Sequence, residues 1–144
     1  MRSLLINWMV EIQESFELNH ETLYLGIKLL DKYLSKVIIK KEILQLVGTT
    51  AMLIAAKYDE RIAPALDDFL FLCDAAYTRK AMLRMEMNIL KVCDFELGYP
   101  LSYRFLRRYA RVSVFMITSI FEYIFSSWIY YKIIIDCEYF MFHL

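Results

Sequence analysis

Glycine and histidine are scarce in this sequence, and their scarcity excludes several kinds of catalytic site. The 144 residues include three glycines, at positions 26, 48 and 98, and two histidines, His20 and His143. Glycines this far apart cannot form a Gly-x-Gly-x-x-Gly turn or a phosphate-binding P-loop. Neither histidine lies with a cysteine or a serine in a recognisable motif for nucleophilic catalysis. We therefore expect no catalytic residues and no cofactor, and we predict a binding module rather than an enzyme.

A surplus of charge of either sign is missing too. The chain has 17 basic and 17 acidic residues, so its formal net charge is zero. A protein that binds nucleic acid by neutralising phosphates needs an excess of Lys and Arg, and nucleic acid is therefore not an expected partner. The cluster Arg104, Arg107, Arg108 and Arg111 could suggest such a partner, but the solvated face of a helix is the stronger interpretation.

Cysteine pairs of the kind that bind zinc or form disulfides are also missing from the sequence. The three cysteines are an odd number without Cys-x-x-Cys spacing, which fits buried thiols in a reducing compartment. The adjacent carboxylates Asp59-Glu60 and Asp67-Asp68 are better explained as solvated charges at helix ends than as a metal pair. Because no signal peptide is recognisable at the N-terminus, we expect an intracellular protein without a metal site.

Apolar residues are abundant, and residues 44–58 form their most continuous helical segment. Wound as a helix, LQLVGTTAMLIAAKY has no polar face, which predicts a helix buried on all sides. Gly48, Ala51 and Ala55 recur with helical spacing and form a strip of little bulk, along which a neighbouring helix could approach closely. Lys57 in the last turn is the exception, because it is a cation on an otherwise apolar helix.

Four further helices are predicted around this segment, joined by short loops. Residues 1–17 form an amphipathic helix, a second runs from its N-cap Asn19 to about Ser35, a short fourth has Pro64 in its first turn, and a fifth runs from its cap Thr78 to about Val92. Pro100 begins one more helical segment. Because no strand-like alternation is present, we predict an all-α fold, a globular bundle of five helices around a buried third helix.

The fifth predicted helix carries a charge in an unusual position. Met82, Met85 and Ile89 form its apolar side, and Glu86 lies within that apolar arc rather than opposite it. Glu86 and Lys57 are therefore opposite charges at positions where a core helix would carry leucine. From the periodicity alone, the favoured interpretation is that these two side chains pair with each other inside the bundle.

Four blocks of the sequence, in this order and spacing, closely resemble the N-terminal cyclin box of the mitotic cyclins, nearest to the B-type group. They are MRSLLINWMVEI, LLDKYL, LQLVGTTAMLIAAKYDE and YTRKAMLRMEMNILKVCDFEL. The resemblance runs almost without gaps over residues 1–111 and implies a five-helix cyclin box with the third helix at its centre. It also implies a regulatory subunit of the mitotic or meiotic cell cycle, in the nucleus or, alternatively, in the cytoplasm.

By this resemblance, Lys57, Glu86 and Phe95 match the residues with which cyclins hold a cyclin-dependent kinase. Lys57 would donate hydrogen bonds to backbone carbonyls near the αC helix of the kinase, Glu86 would accept them from backbone N–H groups, and Phe95 would make an apolar contact. A partner that binds the active arrangement of αC more tightly shifts the kinase toward activity. The alternative is a non-activating variant that competes for kinase or for substrate.

The resemblance also implies a hydrophobic patch that docks Arg-x-Leu segments of substrates or inhibitors. The matching residues are Met1, Leu4, Leu5, Trp8, Glu11, Leu44 and Gln45. Their apolar groups would hold the leucine, and Glu11 would pair with the arginine. The alternative is that Leu5 and Trp8 are ordinary core residues.

Three positions near this patch depart from the family pattern. Ser3, Asn7 and Lys41 stand where Ala, Asp and Arg are usual, and the departures bear on the strength of docking more than on the existence of the patch. Arg2 and Asp31 match an internal salt bridge between the first two helices of the family. We therefore assign this last pair to structure and not to binding.

The resemblance ends at about residue 111, and residues 112–144 differ in composition from the rest of the chain. Of these 33 residues, 23 are hydrophobic and 10 are aromatic. The longest uncharged run is 10 residues, short of the roughly 20 needed to cross a bilayer, so a membrane anchor is a minority interpretation. We predict a cyclin box in residues 1–111 and an unrelated hydrophobic tail in residues 112–144 of a shortened or alternatively spliced cyclin.

Overall fold

The computed structural model describes residues 1–113, and this part of the chain is helical without any strand. Its elements are α1 (Arg2–Ser15), α2 (His20–Lys36), a short 3-10 turn (Lys41–Ile43), α3 (Leu44–Asp59), α4 (Leu66–Leu72), α5 (Arg79–Val92) and α6 (Ser102–Ser113). The all-α prediction is confirmed for these residues. The rest of the predicted tail lies outside the described residues, so the predicted boundary between box and tail stays a prediction.

Helix α3 is the centre of the first compact unit, which spans Met1–Arg104. Its residues 46–56 are all buried, and the helix contacts α1, α2, α4 and α5. A helix that is apolar on every side must be covered on every side, because any uncovered face would leave hydrophobic area in water. The predicted buried third helix is confirmed.

Two glycines lie where neighbouring helices approach each other closely. A Cβ atom added to Gly48 of α3 would lie 2.7 Å from Cδ1 of Leu5, so α1 packs its Leu5 side chain directly over this glycine. A Cβ added to Gly26 of α2 would lie 2.7 Å from Sδ of Met52 on α3. The predicted close approach of a neighbouring helix along the small-residue strip of α3 is confirmed at Gly48.

The helix ends show one correct prediction and one wrong one. The hydroxyl of Thr78 accepts a hydrogen bond from the backbone N–H of Ala81 at 3.2 Å, which confirms Thr78 as the N-cap of α5. Pro64 was expected in the first turn of α4, but this helix begins only at Leu66. The reason is that the carboxylate of Asp68 accepts the backbone N–H of Ala65 at 2.9 Å, which makes Ala65 the N-cap.

The N-terminus of α2 is capped by Glu60, the residue that follows α3. Asn19 occupies the predicted N-cap position, but its side chain accepts no hydrogen bond from its own helix. Instead, the backbone N–H and the side-chain amide of Asn19 both donate to the carboxylate of Glu60 at 2.7 Å, and the hydroxyl of Thr22 donates to the same group. A carboxylate at a helix N-terminus is favourable because it neutralises unpaired N–H groups and the positive end of the helix dipole.

Candidate protein-binding surfaces

Lys57 and Glu86 form an ion pair that joins the end of α3 to α5. The Lys57 ammonium lies 2.5 Å from Oε1 of Glu86, and the exposed fraction of the side chain is 47% for Lys57 and 12% for Glu86. The expected position of Lys57 among core residues is wrong, since the buried part of α3 stops at Ala56, one residue earlier. The two side chains therefore pair with each other, as the periodicity suggested, but they do so at the surface and not inside the bundle.

This ion pair keeps unused hydrogen-bonding capacity. A lysine ammonium has three donors, and a carboxylate can accept about four hydrogen bonds. Within residues 1–113, Glu86 is the hydrogen-bond partner of the Lys57 ammonium, and that bond occupies one of its three donors. Two donors of Lys57 and the remaining lone pairs of Glu86 are therefore not used by hydrogen bonds within the described residues.

Phe95 is presented by a strained turn that follows α5. Its φ angle is 55° and that of Asp94 is 57°, a left-handed conformation that is costly for a residue with a bulky side chain. The N–H of Phe95 donates to the carbonyl of Leu90 at 2.9 Å, and the N–H of Glu96 donates to the carbonyl of Cys93 at 3.1 Å. The result is a phenyl ring with an exposed fraction of 60%.

The loop after Phe95 returns to the end of α3, where Lys57 lies. A Cβ atom added to Gly98 would lie 3.5 Å from the hydroxyl oxygen of Tyr58, which follows Lys57 in the chain. The two helices that carry Lys57 and Glu86 are therefore also connected by the loop that begins at the Phe95 turn. We call Lys57, Glu86 and Phe95 together the α3–α5 surface.

Two lysines of α2 hold the turn after α5, and no role was predicted for them from the sequence. The Lys32 ammonium donates to the carbonyl of Cys93 at 3.3 Å, to the carboxylate of Glu96 at 2.5 Å and to the hydroxyl of Tyr99 at 2.6 Å. The bonds to Glu96 and then to Tyr99 raise the pKa of Lys32 above its usual value. Lys36, one helical turn later, donates to the carbonyl of Val92 at 2.7 Å and to the Asp94 carboxylate at 3.0 Å.

The predicted docking patch lies on α1 and at the start of α3. Met1, Leu4 and Glu11 are exposed, Leu4 with 67% of its surface, and Leu44 and Gln45 are partly exposed. They are joined by Trp8, which is partly buried and whose indole N–H donates to the hydroxyl of Thr49 at 3.1 Å. We call this set, without Leu5, the α1 surface.

Leu5 differs from the other residues predicted for the patch. Its exposed fraction is 7%, and its side chain packs against Gly48 of α3. The interpretation of Leu5 as a core residue is therefore the better one, and its contribution to the α1 surface is to anchor α1 from beneath. Beside it, Arg2 makes a two-pronged ion pair with Asp31 of α2, with Nε and Nη2 at 2.8 and 2.7 Å from the two carboxylate oxygens.

The described residues offer little else with chemical reactivity. Cys73 and Cys93 are buried free thiols, and burial raises the pKa of both, which keeps them neutral and poorly nucleophilic. The third predicted thiol, Cys137, lies outside the described residues. Within residues 1–113, no group of three His, Cys, Asp or Glu side chains could hold a metal ion, and no helix has the length and apolar character to span a bilayer.

The described residues form an all-α module of helices packed around one buried helix, with polar and apolar side chains exposed at its surface. A solved structure with this architecture is the X-ray structure of a viral cyclin from herpesvirus saimiri, which superimposes with a TM-score of 0.71 at 27% sequence identity and covers 76% of this chain and 48% of the viral chain. The family model for the cyclin N-terminal domain matches residues 1–98. The chain therefore belongs to the cyclin family.

Proteins similar to this chain include mitotic cyclins of the B3 group. The chain is 60% identical to G2/mitotic-specific cyclin-B3 of Drosophila melanogaster and 53% identical to that of Homo sapiens, over 111 residues in each case. These matches cover 77% of this chain but 19% and 8% of the two relatives. The chain thus spans less than a third of the length of these relatives, and cyclins as a family are regulatory subunits rather than enzymes.

Proposed function

We propose that this chain is a cell-cycle regulatory subunit that binds and activates a cyclin-dependent Ser/Thr kinase in mitosis or meiosis, acting in the nucleus. The family and the relatives, whose names describe G2/mitotic-specific cyclins, support this proposal. The observation that carries it is the α3–α5 surface, where the ion pair between the half-exposed Lys57 and the largely covered Glu86 joins α3 to α5, and the turn after α5 carries the exposed Phe95.

The chemistry of this surface suits the backbone of a partner helix end. The free donors of Lys57 can bind carbonyl oxygens, and the free lone pairs of Glu86 can bind N–H groups, so the ion pair can serve both ends of a peptide segment. Phe95 adds an apolar contact that removes water from these hydrogen bonds and so strengthens them. A kinase αC segment bound in this way would be held in one orientation.

Activation follows from a difference in affinity between two kinase states. A kinase is active only when its αC glutamate pairs with the lysine of strand β3. If the cyclin binds that arrangement about 100-fold more tightly than the inactive one, it shifts the equilibrium by about 2.7 kcal/mol. The cyclin supplies no chemical group to phosphoryl transfer in this account.

The α1 surface is proposed to dock Arg-x-Leu segments of substrates or inhibitors. Met1, Leu4 and Trp8 offer apolar area for a leucine side chain, and the exposed carboxylate of Glu11 is available for an arginine. The hydrogen bond from Trp8 to Thr49 leaves the indole with its single donor satisfied, so an apolar ligand can cover it without burying an unpaired N–H group.

Phosphorylation of histone by a purified cyclin-dependent kinase, with and without the full chain, tests activation. We expect activity to appear only with the chain and to be lost with Lys57→Met. The matched control is Lys80→Met, which removes the same charge from α5 where the lysine is exposed. Kinase binding without phosphorylation would identify the non-activating competitor, and absence of binding would refute the proposal.

A further inference from the structure

The turn that carries Phe95 is held at one side by two ammonium groups from a different helix. Lys32 and Lys36 are one turn apart on α2, and their four shortest contacts all go to residues 92–99. The carbonyl of Val92, at the end of α5, receives one of these bonds, and the carbonyl of Cys93, which also accepts the N–H of Glu96, receives a longer one from Lys32. A cation at a helix C-terminus also opposes the negative end of the helix dipole.

From these contacts we propose that Lys32 and Lys36 form a clamp that positions Phe95 for partner binding. The proposal rests on the proposed function and extends it to residues that do not touch the partner. These bonds hold a turn in which two successive non-glycine residues, Asp94 and Phe95, have φ angles near 55°, a conformation that is costly for a residue as bulky as phenylalanine. Lys32 and Lys36 are therefore positioning residues.

The clamp also holds the loop beyond Phe95, which lies beside Tyr58 at the end of α3. Lys32 binds Glu96 and Tyr99, which stand on either side of Gly98, and Gly98 lies beside Tyr58. Release of Lys32 would thus free the loop that connects Phe95 to the end of α3.

The first test measures the turn itself, without any kinase. Backbone amide hydrogen exchange is followed at Phe95 and Glu96 in the full chain and in the variants Lys32→Met and Lys36→Met. We expect both amides to exchange at close to the rate of an unprotected amide, because the turn would then be closed only about a tenth of the time. Lys91→Met is the matched control, since Lys91 lies beside the same turn and its side chain makes no hydrogen bond or ion pair within the described residues. Unchanged exchange in the two clamp variants would overturn the clamp.

The second test measures affinity for a cyclin-dependent kinase. If the turn is closed a tenth of the time in Lys32→Met, the affinity falls about tenfold. In a Phe95→Ala background the same substitution should lower kinase affinity only slightly, because the clamp acts through Phe95. A general loss of stability would instead lower the affinity equally in both backgrounds. Equal losses of affinity in the two backgrounds would overturn the positioning role. Lys36→Arg should keep the affinity that Lys36→Met loses, because it keeps the charge.

The two tests separate failure of the clamp from failure of the proposed function. A wild-type chain that does not bind the kinase, with exchange at Phe95 still faster in Lys32→Met, would refute the proposed function and with it any role of the clamp in kinase binding. Kinase binding with unchanged exchange would refute the clamp alone.

Discussion

The turns that end α4 and α5 have the same backbone and differ in what they carry. In the first, Asp74 and Ala75 have φ angles of 50° and 51°, and in the second Asp94 and Phe95 have 57° and 55°. The N–H of Ala75 donates to Leu70 as that of Phe95 donates to Leu90, and both turns follow the pattern Leu-x-x-Cys-Asp. The difference is an alanine in one and an exposed phenylalanine in the other.

This comparison shows that backbone strain alone does not mark a binding site. The left-handed turn is a way to end a helix with a buried cysteine, and the chain uses it twice. What distinguishes the second turn is the large apolar side chain at the strained position, together with the lysines of α2 that hold it.

The largest expected effect is on kinase affinity, by truncation of the side chain at the second turn. Phe95→Ala removes an apolar anchor, and we expect a loss of about 2 kcal/mol, or roughly 30-fold in affinity. Phe71→Ala, on the helix that leads into the first turn, is the matched control because Phe71 is also an exposed phenylalanine. Similar losses for both variants, measured by titration calorimetry, would remove the distinction between the turns.

The next effect is on stability, and here the two turns should behave alike. Glycine adopts a left-handed conformation without the clash between Cβ and the carbonyl, so Ala75→Gly should raise the free energy of unfolding by about 1 kcal/mol. The free energy of unfolding of Phe95→Gly should exceed that of Phe95→Ala by a similar amount. Both variants should lose kinase affinity. Urea denaturation measures these differences, and an increment at only one turn would show that the backbones are not equivalent.

The smallest effect concerns the aspartates. Asp94→Asn removes the ion pair with Lys36, whose partners are largely exposed, so we expect a loss of a few tenths of a kcal/mol that disappears in high salt. Asp74→Asn should be neutral, because the Asp74 carboxylate makes no hydrogen bond or ion pair with another side chain in residues 1–113. Thermal unfolding at low and high ionic strength measures both effects. Equal losses of stability in Asp94→Asn and Asp74→Asn would contradict this expectation.

Much of the fold could be predicted from the sequence, because single residues carried strong local signals. The unbroken apolar surface of α3 required burial on every side, Gly48 required a close neighbour, and Thr78 is a typical N-cap. The position of Pro64 was predicted wrongly, because the choice between two adjacent helix starts depends on a side chain, Asp68, that competes for one backbone N–H group. The outcome of such competition depends on side-chain geometry, which the spacing of residues in the sequence does not reveal.

The candidate surfaces were predictable to different degrees. The pairing of Lys57 with Glu86 followed from their places on two apolar helices, but the exposure of Lys57 depends on where the neighbouring helices end. The lysines of α2 were missed, since their partners are carbonyl groups about 60 residues away in the chain. The repeated Leu-x-x-Cys-Asp pattern was a signal in the sequence that could have revealed the paired turns.

Whether the Lys57–Glu86 ion pair binds a cyclin-dependent kinase can be measured by the dissociation constant of that complex for the wild type, Lys57→Met and Glu86→Gln. Circular dichroism spectra would first show that all three chains are folded. We predict that each substitution weakens binding by at least about 30-fold, because a charge pair that also serves a partner backbone loses about 2 kcal/mol or more when one member is removed. Equal dissociation constants for the three chains would contradict the account, because the ion pair would then serve the cyclin box alone.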